Sequence, residues 1–115
     1  MSSSIRIERL NHTYMEEISK ILAEEIKDED IKFVTITKVT VTNDLSYAKV
    51  YFTVLDDEKK NSTLKALNEA SKYIRKLLAD RIEIRHTPEL RFFYDDSIEY
   101  GNRIEEKIKE INKTN

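Results

Sequence analysis

One glycine and one proline in 115 residues leave this chain few places to turn. Turns that need a positive φ draw on glycine, and proline sets the rigid ones. A chain with one of each must run mostly in helices and strands joined by short links. The same scarcity removes chemistries. A P-loop or a dinucleotide fingerprint needs several glycines at fixed spacing. The GxxG loop with which a KH domain of the usual kind grips nucleotides needs two. The length fits one domain. A hydrophobic fraction of 39% supplies one modest core and argues against disorder.

The apolar spacing lays out the elements. Ile7, Leu10, Tyr14, Ile18, Ile21, Leu22 and Ile26 recur at helical steps, which predicts an amphipathic helix over 5–27 that ends in "KDED". Glu16 and Lys20 stand one turn apart in the favourable order. "FVTITKVTVT" at 33–42 is rich in β-branched residues, as a strand requires. Phe33, Thr35, Thr37, Val39 and Val41 share one face and Val34 and Ile36 the other, so this strand is either covered on both sides or bulged. "NDLS" at 43–46 is a turn, and "YAKVYFTV" at 47–54 alternates cleanly, which completes an antiparallel hairpin. "DDEKK" at 56–60 is a solvated link, and Asn61 or Ser62 can cap the next helix. Leu64, Leu67, Ala70, Ile74, Leu77 and Leu78 form a stripe as far as Ile82 that reads as one unbroken helix. Thr87–Pro88 blocks further helix. Leu90, Phe92 and Tyr94 then alternate with Arg91, Phe93 and Asp95 as a third strand. Asp96 or Ser97 caps a last helix with Ile98, Gly101, Ile104, Ile108 and Ile111 inward. The order is α-β-β-α-β-α, with helices on one face of a small sheet. Ala48, Val50, Phe52, Leu90 and Phe92 are the expected core of that sheet.

Reactive groups are sparse. There is no cysteine, hence no disulfide and no thiolate. His12 and His86 are far apart, and neither has a partner at a metal-ligand spacing. No strand–turn–helix nucleophile motif is present. Asp56–Asp57 and Asp95–Asp96 read as a linker and a helix N-terminal charge. Catalytic residues, metal and cofactor are therefore all read as none. No segment is apolar enough to span a membrane, and "MSSSIRIERL" lacks the apolar core of a signal peptide. These features point to a cytoplasmic protein, taken as a monomer.

The net charge of −2 hides an asymmetry. Residues 1–30 hold eight acids against four Lys and Arg, whereas 72–91 hold six Lys and Arg against three acids. A local basic face binds phosphates even on an acidic protein; the plain alternative is a set of solvated helix faces.

The segments "RIERLNHTYMEEISKILAEEIKD", "VTITKVTVTNDLSYAKVYFTVL" and "LNEASKYIRKLLADRIEIRHTPELRFFYDDSIEYGNRIEEKI" together resemble the ribosome-binding factor A family of small-subunit maturation factors. The resemblance runs from about Ile5 to Ile111. It is most specific in "NDLSYAKVY" and in Arg75, Pro88, Glu89, Leu90, Phe92, Asp95, Ser97, Gly101 and Ile104. It implies a single α+β domain, KH-like of type II, ordered α-β-β-α-α-β with a three-stranded sheet, helices on one face and a C-terminal helix. It also implies binding to the immature small (30S) subunit and its 16S rRNA, in late maturation and rRNA processing, especially in the cold. The family carries an Ala-x-Gly kink between its second and third helices. Ala70, Ser71 and Lys72 stand at those positions, without the glycine. The expectation is a kink with Lys72 near its apex and the Ser71 hydroxyl bonded back to the Leu67 carbonyl.

The rRNA-binding residues expected on this reading are Lys72, Arg75, Lys76, Arg81, Arg85, His86 and Arg91, gathered as one basic surface beside the sheet. Arg75 and Arg81 lead, because guanidinium forks suit phosphate oxygens. Arg6 and Arg9 rank lower, since they sit in the acidic helix. Phe92, Phe93 and Tyr94 read as core or sheet-surface packing rather than base-stacking platforms. Asp95 and Ser97 read as caps and Gly101 as a close-packing site. The competing function is a protein–protein adaptor acting through a sheet edge or the acidic first helix without RNA contact; a small hydrolase comes third.

Overall fold

The parallel pairing of the second and third strands sets the architecture. In a computed structural model, which describes residues 2–97 with side chains from Ile5, α1 spans Ser2–Glu24, β1 Val34–Val41, β2 Tyr47–Val54, α2 Lys60–Arg81 and β3 Glu89–Tyr94. The sheet order is β1-β2-β3, with β1 antiparallel to β2 and β2 parallel to β3. Parallel neighbours cannot be joined by a tight turn, and α2 makes the crossover. The last helix expected from the sequence, with Gly101 in it, lies outside the described residues beyond Ser97.

The period-2 pattern of β2 and β3 places Ala48, Val50, Phe52, Leu90 and Phe92 in the core, as expected. Tyr14, Ile18, Ile21 and Leu22 of α1 and Ala66, Leu67, Ile74 and Leu78 of α2 cover them from one side. Full burial of a side chain such as Phe52 or Ile74 stabilises by about 2–3 kcal/mol. Tyr14 is wholly buried, and its hydroxyl has no hydrogen-bond partner among the described residues. Burial pushes its phenol up to about 12, opposed by the nearby Arg75 charge.

β1 carries the bulge that its pattern allowed. Its pairing with β2 shifts between Ile36 and Lys38, so Thr37 is the extra residue. Ile36, Val39 and Val41 face the core, while Phe33 is 62% exposed. Of the two alternatives the pattern left open, the bulge is the one present, and it exchanges faces halfway along the strand, so Phe33, Thr35, Thr37, Val39 and Val41 do not share one face. The 43–46 turn closes the hairpin around Asp44, whose Oδ1 accepts from Thr42 Oγ1 at 2.8 Å and from the Ser46 amide at 3.0 Å. These bonds hold the carboxyl down to about 2. Leu45 takes φ 61 there, the one non-glycine residue at positive φ among those described.

Two helix ends differ from expectation. α1 stops at Glu24, and the polar segment after it folds into a short 3-10 turn, Glu29–Ile31, opened by the Asp28 carboxylate accepting from the Asp30 amide at 2.9 Å. α2 begins at Lys60, out of a second 3-10 turn, Asp57–Lys59, that Asp56 opens in the same way. Neither Asn61 nor Ser62 caps it, because both already lie inside the helix and Ser62 donates to the Lys59 carbonyl. Thr63, buried, donates to the Asp30 carbonyl at 2.7 Å and ties the first of these turns to the opening of α2.

α2 is a single helix of 22 residues. The helix runs without interruption through Ala70, Ser71 and Lys72, where a kink was expected, so the two central helices implied by the resemblance are one here. No residue between Lys60 and Arg81 has positive φ. The Ser71 hydroxyl donates to the Asn68 carbonyl at 2.8 Å, not to Leu67. The physical reason is local: none of the three residues has glycine's backbone freedom, and Lys and Ala are good helix formers.

Candidate nucleic-acid interface

The expected basic surface divides into four parts. Arg75 and Arg81 both contact other parts of the fold. Arg75 points from the middle of α2 to the loop before β3, where its Nε and Nη2 both donate to the Thr87 carbonyl, at 3.0 and 2.7 Å. Both donors of the fork meet one acceptor, which fixes the chain just ahead of Pro88. Arg81, at the last turn of α2, lies among three carboxylates of α1 and its end: Glu17 at 3.2 Å, Glu25 at 3.4 Å and Glu24 at 3.8 Å. Its charge is matched within the protein. Arg75 commits two of its nitrogens and Arg81 two to these contacts within the protein. Both leading candidates also hold parts of the fold together, which the sequence could not disclose, since their partners stand 12 to 64 positions away.

Lys72 and Lys76 are exposed one turn apart on the outward face of α2, and neither forms an ion pair among the described residues. Lys65, also exposed, continues this row. Residues 65, 72 and 76 share one helix face, spanning about 16 Å at the rise of an α-helix. Tyr73, half-exposed, lies beside them. Lys65 and Tyr73 were not among the sequence candidates, although the seven- and four-residue lysine steps were a readable signal. Glu69 interrupts the row.

Arg85 and His86 are exposed in the loop between α2 and β3. Arg85 shares a groove with Arg6, Leu10, Leu45 and Ile84. Arg9 lies apart, near His12 on the outer side of α1. His12 bonds Glu16 at 2.8 Å, and Lys20 pairs with Glu17 at 3.6 Å rather than with Glu16.

Arg91 belongs to none of these groups. It projects from the sheet face opposite the helices, with its guanidinium 3.9 Å from the centre of the Tyr47 ring. Lys72 and Lys76 on one side and Arg91 on the other cannot form one surface, because the sheet lies between them. Phe92 is core, Tyr94 is partly buried and meets Phe52 edge-on at 5.6 Å, and Phe93 is 41% exposed on the outer face. Asp95 accepts from the Ser97 amide at 3.0 Å and from the Ser97 hydroxyl at 2.6 Å, as a cap does. No group of three or more His, Cys, Asp or Glu side chains converges as a metal site among the described residues.

Comparison with known proteins gives a consistent picture. The family model described as ribosome-binding factor A matches residues 6–108. Ribosome-binding factor A of Staphylococcus carnosus is 48% identical over 112 residues, covering 96% of this chain and 97% of that protein. Its counterpart in Halothermothrix orenii is 45% identical over 107 residues, covering 92% and 88%. The crystal structure of ribosome-binding factor A from Thermus thermophilus superposes with a TM-score of 0.70 at 23% identity, over 76% of this chain and 94% of that one. A Thermus thermophilus ribosome-binding factor A homology model, fitted into the cryo-EM map of a 30S complex, superposes with a TM-score of 0.58 at 26% identity, over 78% and 91%. The α+β arrangement is that of these proteins, KH-like with a three-stranded sheet.

Proposed function

The chain belongs to the ribosome-binding factor A family, and from that premise we propose that it binds the immature small ribosomal subunit through 16S rRNA and assists the late maturation and processing of that rRNA, above all at low temperature. The observation that carries this reading is the row of Lys65, Lys72 and Lys76, exposed and without carboxylate partners among the described residues, on a chain of net charge −2. Lysines left unpaired beside an arginine matched by three acids are available to phosphate oxygens, and phosphate contacts position a protein on nucleic acid. The relative fitted into a map of a 30S complex supports the class of partner.

The protein acts by binding, as a single monomeric domain in the cytoplasm, without a cofactor. No helix among the described residues is long and apolar enough to cross a membrane. The acidic first helix is a poor adaptor surface, since Glu17, Glu24 and Glu25 already face Arg81.

Co-sedimentation with small subunits at rising salt tests the reading. Each phosphate contact releases counterions, so log affinity falls with log salt by a slope of about 0.7–0.9 per contact. A steep loss is the expected result. Binding that ignores salt points instead to an apolar protein interface.

A further inference from the structure

The face of the sheet turned away from α1 and α2 is built as alternating aromatic and cationic rows. Pairing sets Lys38, Tyr51 and Phe93 side by side across the three strands, and Lys49 beside Arg91 in the next row. Tyr47 stands one step further along β2, with the Arg91 guanidinium laid 3.9 Å from its ring centre. Tyr51 and Phe93 are tilted against each other with centroids 5.7 Å apart, and the Lys38 ammonium is 5.9 Å from the Tyr51 ring. Tyr47 and Phe93 keep 36% and 41% of their surface in solvent, and Lys38, Lys49 and Arg91 are exposed. No helix among the described residues covers this face. The bulge at Thr37 contributes to the arrangement: it sets Thr37 and Lys38 outward in succession, so that Thr37 reaches Asp95 while Lys38 covers Tyr51.

We propose that this face takes a single strand of RNA, with bases stacked on the Tyr51–Phe93 pair and on the Arg91–Tyr47 pair and phosphates held by Lys38 and Lys49. The proposal rests on the rRNA-binding reading and adds a second surface, on the other side of the molecule from the α2 lysines. Aromatic rings and guanidinium planes both stack on unpaired bases, and every base has such a face, so recognition of this kind favours strands over duplexes. The two platforms lie four residues apart on β2, about 13 Å, with cations between them. The charge agrees with an anionic strand. Three cations occupy the middle of the face, while the carboxylates Glu89 and Asp95 stand at its two ends, and both Asp95 oxygens are engaged by Thr37 and Ser97. This gives Phe93 a role beyond the sheet-surface packing expected of it.

The test is fluorescence anisotropy of the full chain with a short labelled oligouridylate and with an RNA duplex of equal length. Two variants accompany it, Tyr51→Ala/Phe93→Ala and Lys49→Gln/Arg91→Gln. Their folding is followed by circular dichroism, their self-association by sedimentation equilibrium and their subunit binding by co-sedimentation. The parent should prefer the single strand. Each variant should lose about tenfold or more in affinity for it while keeping its fold. If removal of the rings disturbs folding, the Gln variant alone decides. Duplex preference in the parent, or two folded variants that bind oligouridylate like the parent, overturns the proposal. So does subunit binding lost in the variants when the parent ignores oligouridylate, which identifies a protein segment as the occupant. Self-association of the parent abolished in the variants would identify a second copy and overturns it equally. A parent that sediments with subunits while its sheet variants behave normally leaves rRNA binding intact and removes only this surface; a parent that binds no subunits removes the rRNA reading itself.

Discussion

Thr37 donates its hydroxyl hydrogen to Asp95 Oδ2 at 2.6 Å, although the strands that carry or precede these residues, β1 and β3, never pair. The bond passes over β2 on the outer face and joins the two edges of the sheet. Thr37→Val keeps the shape and removes the donor. A hydrogen bond of this kind contributes about 1 kcal/mol net. Urea denaturation should show that loss with an unchanged m-value; a variant as stable as the parent rules out the link.

The acid side of the stability curve follows from two carboxyls. Asp95 is held below its ordinary value mainly by the Ser97 and Thr37 hydroxyls, and Asp44 is held at about 2 by Ser46 and Thr42. A depressed folded value means that the unfolded chain binds protons first as the pH falls. The stabilisation is therefore complete above the ordinary carboxyl value of 3.8 and is lost as the pH drops toward 2. Melting temperatures recorded across this window should fall less steeply for Asp44→Asn than for the parent.

Arg75→Ala should cost about 1.5–3 kcal/mol, the range for a hydrogen bond involving a charged group, because it frees the Thr87 carbonyl as well as the helix. Arg75→Lys should recover only part, since an ammonium cannot reproduce the fork. An Arg75→Ala variant with parental stability but weaker subunit binding would return this residue to the rRNA-binding set.

In the triple variant Lys65→Ala/Lys72→Ala/Lys76→Ala, exposed charges contribute little to the fold, so melting should barely change. The salt slope of subunit binding should flatten by about one unit for each phosphate contact removed. An unchanged slope would make the row a solvated helix face.

Lys72→Gly places the family's glycine in a helix that is continuous here. With helical geometry on both sides, the substitution should destabilise by about 1 kcal/mol and lower the melting temperature. A variant that melts higher than the parent would mean that residue 72 does not hold a helical conformation in solution.

β2 was legible to the residue and β3 to within one, because strict alternation marks both and the Thr87–Pro88 break marks where β3 begins. β1 was half legible: its residue types announced a strand, but only the pairing partner reveals that Thr37 is extra. The α2 stripe spoke for one helix, and the structure follows that stripe rather than the family's pattern. The site was legible in composition and not in geometry. Charge counting found Lys72 and Lys76, yet it missed Lys65 and could not separate the pair from Arg75 and Arg81, whose partners are a carbonyl in the following loop and carboxylates of the first helix and its end.

The bulge also governs what can happen at the border of the sheet. β1 is an outermost strand, and such a border ordinarily offers unpaired amides and carbonyls to any passing strand. An inserted residue bends the ribbon and breaks the even spacing of those groups. A second chain seeking to extend the sheet past Thr37 would find its donors and acceptors out of step, and it would have to accommodate Lys38 besides. The residue that turns Lys38 toward Tyr51 thereby also makes this border of the sheet a poor template for a further strand.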